Sequence, residues 1–125
     1  MTTKKIMIVD DEVNIRTALK YRLKKEGYSV LLAADGLEAL DKVALERPDL
    51  IILDLMLPRM DGYEVLKRLK GDPQTADIPV IVLTARGEKE DRARSLELGA
   101  ASFMAKPFSP RQLVAEVKRA LGDVD

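Results

Sequence analysis

Five short apolar runs punctuate the chain: IMIV (6–9), VLLA (30–33), LIIL (50–53), VIVL (80–83) and the weaker ASFMA (101–105). Continuous runs this rich in β-branched residues fit strands buried on both faces, as in parallel sheets. The segments between them carry helical period. Ile15, Ala18, Leu19 and Leu23 form one stripe, closed by Gly27 as a C-terminal cap. Leu37, Leu40 and Val43/Ala44 form a second, ended by Pro48, and Tyr63, Leu66 and Leu69 a short third before Gly71-Asp72-Pro73. A fourth, highly charged helix is expected over about 88–98, stopping at Gly99, and a fifth places Leu113, Val114, Val117 and Leu121 on one face. Asp35-x-x-Glu38, Asp61-x-x-Glu64 and Ser109-Pro110-x-Gln112 have the form of capping boxes, the last with proline at the first helical position. The pattern is (βα)₅. It predicts an α/β fold, a doubly wound five-stranded parallel sheet with helices on both faces.

There is no internal repeat, low-complexity tract or linker, and 125 residues suit one domain that buries roughly two thirds of its unfolded surface. Lys+Arg and Asp+Glu balance at 21 each, so no global field recruits nucleic acid or an anionic membrane. The chain has neither cysteine nor histidine. Disulfides, thiol nucleophiles, histidine-based triads and Cys- or His-ligated metals are thereby excluded. Any chemistry falls to carboxylates, hydroxyls, lysines or a hard metal ion. MTTKKIMIVDDE meets acid too soon for a signal peptide, and no apolar run approaches the ~20 residues of a membrane span. A soluble cytoplasmic protein is expected.

Within LIILDLMLPRMDG (50–62) a carboxylate, Asp54, follows four apolar residues. Burying that charge costs several kcal/mol, on the order of 5, unless it is paired or coordinated. In a parallel sheet all strands exit at one edge, where ligands bind. The first run is followed by Asp10, Asp11 and Glu12, the second by Ala34 and Asp35, the third by Asp54, the fourth by Thr84, and the fifth by Lys106-Pro107. If strands 1 and 3 are neighbours, Asp10, Asp11 and Asp54 converge. Carboxylates that close force one to hold a proton unless a cation joins them. Mg²⁺ suits such a place best, because it accepts one or two carboxylates, keeps waters and favours phosphate oxygens.

IMIVDDE, LIILDLMLPRMDGYE, VIVLTA and FMAKPF together resemble, in order and spacing, the receiver domain of two-component response regulators, across essentially the whole chain. The resemblance implies strand order 2-1-3-4-5, the flavodoxin-like receiver fold, with residues 1–125 as a single receiver domain. It makes Asp54 the phosphoryl acceptor. Asp11 would ligate Mg²⁺ (or Mn²⁺) directly and Asp10 through water, with Asp54 and the Met56 backbone carbonyl completing the protein ligands. Lys106 and Thr84 would serve the phosphoryl group. Phe103 would be the switch aromatic that changes rotamer with Thr84, and Lys106-Pro107 a cis peptide. Met56 and Arg86, two after the acceptor and two after the threonine, occupy places that influence phosphoryl lifetime in the family.

The implied function is a phosphorylation-activated switch, not an enzyme acting on other substrates. A sensor histidine kinase or phosphotransfer protein would donate, and the fourth helix, fifth strand and fifth helix would present a face to a downstream protein. No direct contact with nucleic acid or membrane is expected, and the chain would be a monomer or a weak phosphorylation-dependent dimer. Gly99-Ala100-Ala101-Ser102-Phe103 lacks the acidic pair that winged-helix regulators often carry there, which favours a stand-alone receiver over the receiver half of a longer transcriptional regulator. An aspartyl-phosphate phosphatase usually has a second aspartate where this chain has Met56. A nucleotide or flavin carrier would need a phosphate cradle where this chain has DDEVN. A degenerate docking module would not keep the full set of acids, threonine and lysine.

Each residue also has a plainer explanation. Asp11, Asp35 and Asp61 suit helix caps, Thr84 suits a strand end, Lys106 suits solvent, and Phe103 suits the core. Glu88/Arg92 and Glu90/Arg94 are spaced to support the fourth helix at i,i+4.

Overall fold

The computed structural model describes residues 3–86 and 89–123. Five strands and five helices alternate: β1 Lys5–Val9, α1 Val13–Lys25, β2 Ser29–Ala33, α2 Gly36–Glu46, β3 Leu50–Leu53, α3 Gly62–Gly71, β4 Val80–Thr84, α4 Lys89–Glu97, β5 Ser102–Ala105 and α5 Pro110–Leu121. All strand pairs are parallel and the sheet order is β2-β1-β3-β4-β5. The chain thus starts at β1, winds outward to β2, then crosses back to β3, so strand order reverses between β1 and β3.

The unbroken apolar runs follow from the two-sided sheet. Met7, Val9, Ile51, Leu53, Val80 and Val82 face one core, shared with Ala39 and Val43 of α2 and Tyr63, Leu66 and Leu69 of α3. Ile6, Ile8, Leu50, Ile52, Ile81 and Leu83 face the other, shared with Leu19 and Leu23 of α1 and Leu113 and Val117 of α5. Successive residues point to opposite faces, so a strand covered on both sides has no solvent-facing position to fill.

Two helix stripes differ from expectation. In α1 the buried line is Leu19 and Leu23 with Ile15 half-buried, a narrow i,i+4 row, and Ala18 is exposed. In α2 the buried positions are Gly36, Ala39 and Val43, while Leu37 and Ala44 are exposed. The cause lies at the first turn, where a Cβ on Gly36 would stand 2.8 Å from both Met60 Cβ and Val65 Cγ2. That inward position admits only glycine, which turns Leu37 outward.

The caps are real but less reciprocal than the sequence suggests. Glu38 N–H donates to Asp35 Oδ1 at 2.9 Å, whereas the Glu38 carboxylate accepts from Ala34 N–H rather than from the cap residue. Asp61 accepts from Tyr63 N–H at 2.7 Å, and Glu64 turns outward to Arg68. Ser109 accepts from Gln112 N–H at 3.2 Å, with Pro110 opening α5. Asp11 caps nothing: the N-cap of α1 is Glu12, without a side-chain bond.

Gly62 fixes where α3 begins relative to the sheet edge. Its N–H donates to Leu55 O at 3.0 Å. A Cβ there would fall inside contact distance of the Asp54 carbonyl oxygen and the Leu55 Cα. Both are backbone atoms directly after β3, so the neighbour cannot yield by a rotamer change. Gly62→Ala is expected to destabilise the fold by about 1–3 kcal/mol, the usual cost of overpacking, measured as a lower urea midpoint with unchanged slope.

Candidate functional site

Parallel pairing places the ends of β1 and β3 side by side, with Val9 opposite Leu53. The residues that follow are tied to the sheet through their backbones: Asp10 N–H donates to Ala33 O at 3.1 Å and Asp54 N–H to Val9 O at 3.0 Å. Both carboxyl groups are therefore held at the C-terminal edge, 2% and 4% exposed. Asp11, one residue further along, is exposed. Ligand oxygens of Asp10, Asp11 and Asp54 lie within 4.8 Å of one another.

Lys106, immediately after β5, reaches back across the edge to these acids. Its Nζ donates to Asp10 Oδ2 at 2.8 Å and to Asp54 Oδ2 at 3.0 Å, with Glu12 Oε1 at 3.8 Å. The remaining Asp54 oxygen accepts from Met56 N–H at 3.0 Å, and Asp10 Oδ1 from Glu12 N–H at 2.9 Å. So the buried acids have partners. The Lys106 backbone N–H donates to Thr84 O at 2.8 Å, and the Lys106–Pro107 peptide bond is cis. Thr84 is fully buried at the end of β4, its hydroxyl accepting from Arg86 N–H at 3.2 Å. Phe103 is 7% exposed and packs in the core that α2 and α3 share, which the plainer reading of it also expects.

Burial pushes the Asp10 carboxyl above the usual carboxylate range, and the hydrogen bonds from Lys106 and Glu12 N–H only partly offset it. Burial alone would pull the Lys106 ammonium down, but its bonds to Asp10 and Asp54 outweigh that and hold it above its ordinary value. One ammonium thus serves two buried carboxylates. The donor set is all hard oxygen, with one exposed carboxylate facing solvent, and it fits a divalent ion of the Mg²⁺ kind that keeps part of its water.

A cavity of about 540 Å³ opens beside the cluster, with Asp11, Met56, Asp61 and Arg86 on its wall. The Met56 side chain is exposed there. Sequence reasoning missed three features of this edge. Arg16 Nη1 donates to Asp10 O at 2.7 Å; its only signal was a cation in the first turns of the helix after the acids. Asp61 both caps α3 and stands 3.9 Å from Arg86 Nη1. Asp91, on α4, is buried and accepts from the Tyr63 hydroxyl at 2.5 Å. As for the expected helix pairs, Glu88 lies outside the described residues, and Arg94 covers the Tyr63 ring at 4.0 Å in place of an ion pair with Glu90.

The molecule is a doubly wound, flavodoxin-like α/β domain that carries a lysine-bridged acidic cluster where the strand order reverses. Residues 6–118 match the family model of the response regulator receiver domain. The chain belongs to that family. It is 52% identical over 118 residues to the Bacillus subtilis alkaline phosphatase synthesis transcriptional regulatory protein PhoP, a match covering 94% of this chain and 48% of that protein. To the Pseudomonas aeruginosa phosphate regulon transcriptional regulatory protein PhoB it is 46% identical over 121 residues, covering 97% of this chain and 53% of that protein. The chain therefore spans about half the length of the curated relatives it matches. Among solved structures, the chemotaxis response regulator CheY4 of Vibrio cholerae superposes with a TM-score of 0.89 at 36% identity, covering 96% of this chain and all of that one. Among the described residues no helix is long and apolar enough to cross a membrane.

Because the fold favours a neutral Asp10, this group's contribution to stability is complete below the ordinary carboxylate range and is lost as pH rises through the raised value. Asp10→Asn keeps an oxygen for Lys106 and removes the buried charge. In EDTA it is expected to raise the melting temperature at about pH 7, with the gain shrinking as pH falls through the raised value and Asp10 itself takes up a proton. Thermal unfolding of the two proteins across that range checks it.

Proposed function

We propose that Asp54 is the phosphoryl acceptor of a signalling switch and that a sensor histidine kinase or phosphotransfer protein is the donor. The observation that carries this reading is the lysine-bridged pair of buried carboxylates, Asp10 and Asp54, at an edge open to solvent on the Asp11 and Met56 side. In the transfer, a bond forms from an Asp54 carboxylate oxygen to phosphorus as the phosphorus–nitrogen bond of a phosphohistidine breaks. The electron pair of the broken bond stays with the imidazole nitrogen. Asp11, Asp10 (through water), Asp54 and the Met56 carbonyl would hold Mg²⁺ or Mn²⁺, which supplies charge neutralisation on the phosphoryl oxygens.

The chain's own groups do the rest. Lys106 stands 3.0 Å from Asp54 Oδ2 and offsets the charge that gathers there. The Thr84 hydroxyl accepts from Arg86 N–H, so its proton is free for a phosphoryl oxygen. Movement of Thr84 toward that group, with Phe103 following, would shift the population of the face formed by α4, β5 and α5. A downstream protein reads that face, and the receiver, in the cytoplasm, touches neither nucleic acid nor membrane itself. It acts as a monomer or a weak phosphorylation-dependent dimer. Arg86 and Met56, at the cavity wall, govern the approach of water and so tune the phosphoryl lifetime.

A second reading concerns the whole protein. Residues 1–125 would be the receiver part of a longer transcriptional regulator, and the length of the relatives, two of them named as transcriptional regulatory proteins, favours it.

Intact mass after incubation with acetyl phosphate tests the acceptor. The wild type with Mg²⁺ is expected to gain one phosphoryl mass, and Asp54→Asn, or the wild type in EDTA, to gain none. Equal gain by Asp54→Asn would move the acceptor elsewhere.

A further inference from the structure

α4 is docked in an unusual way: its buried residues, Asp91 and Ser95, are both polar. Its hold on α3 runs through Tyr63, whose hydroxyl donates to Asp91 Oδ1 at 2.5 Å and whose ring lies 4.0 Å from the Arg94 guanidinium and 5.4 Å from that of Arg86. Arg86 Nη2 stands 3.6 Å from the same Asp91 oxygen, and Nη1 stands 3.9 Å from Asp61 Oδ2. The guanidinium is thus attracted by two carboxylates and an aromatic face without a short hydrogen bond to either acid. It also forms part of the wall of the cavity beside Asp11 and Met56, and its own N–H is bonded to Thr84 Oγ1.

We propose that Asp91 is a positioning residue for the acceptor site: with Asp61 and the Tyr63 ring it holds the Arg86 guanidinium to the side of the cavity, and so sets how long an aspartyl phosphate survives. The inference rests on Asp54 being the acceptor. A phosphoryl dianion competes with both acids for Arg86, because the planar fork of a guanidinium suits phosphate oxygens at least as well as carboxylate. While the acids keep it, the path of the hydrolytic water stays open. Once released, the guanidinium sits on the phosphoryl oxygens and obstructs that water. Asp91 joins α4 to this balance, so the helix whose face is read and the lifetime of the signal share one carboxylate.

The test is a double-mutant cycle on the decay of the phosphorylated protein, loaded with acetyl phosphate and Mg²⁺ and followed by intact mass. Asp91→Asn is expected to slow decay about two- to five-fold, the scale of a half-exposed ion pair, and to have no effect in an Arg86→Ala background. Asp61→Asn, which retains the α3 cap, is expected to act in the same direction and keeps the test open if Asp91→Asn does not fold in thermal melts. Unchanged decay in the foldable acid variants overturns the proposal, as does an equal change with and without Arg86, which would assign the effect to α4 packing. Failure of the wild type to take up phosphoryl at Asp54 overturns the acceptor reading and this one with it; normal uptake with unaltered decay overturns this one alone.

Discussion

The structure depends on a single ammonium group set between two buried carboxylates. Lys106 Nζ lies 2.8 Å from Asp10 and 3.0 Å from Asp54, and its side chain is only 11% exposed. Removing the ammonium would leave the two buried carboxylates uncompensated, which costs about 3–5 kcal/mol, so the three residues must be delivered to one place together. They come from the ends of β1, β3 and β5, the last of which is two strands away from β3 in the sheet. The lysine spans that gap, and the bond from its backbone N–H to Thr84 O fixes its starting point.

Around that contact the fold and the site serve each other. The two apolar cores hold the strands in register, which brings Val9 opposite Leu53 and hence Asp10 beside Asp54. Asp10 in turn gains nothing for stability from its charge: burial disfavours the ionised form, and a neutral residue would suit the fold better there. A buried, perturbed carboxylate among other acids at a strand edge marks a candidate functional site. The close approach of Gly62 to the backbone of Asp54 and Leu55 adds a second constraint, because it locks the start of α3 to the residue at the centre of the site.

Much of this was legible in the sequence. The two-sided sheet is written in IMIV, LIIL and VIVL, and the strand-end residues Asp10, Asp11, Asp54, Thr84 and Lys106 could be placed on one edge from topology alone. Helix faces were less legible where tight packing intervened, as at Gly36, whose contact with Met60 and Val65 turns Leu37 to solvent. The network of Tyr63, Arg86, Asp91 and Arg94 could not be seen, because its members sit on two helices and the loop after β4 and pair across space instead of at i,i+4. The fourth helix reads as highly charged, yet one of its acids, Asp91, is buried.

The three carboxylates beside Lys106 lie close enough together to share one hard divalent ion, as the proposed function requires. Isothermal titration with Mg²⁺ of the wild type and of Asp11→Asn, both checked for folding, tests it most directly. One bound ion is expected in the wild type, with an affinity lowered about ten-fold or more when the exposed carboxylate loses its charge. No binding by the wild type, or equal binding by the two proteins, would contradict it.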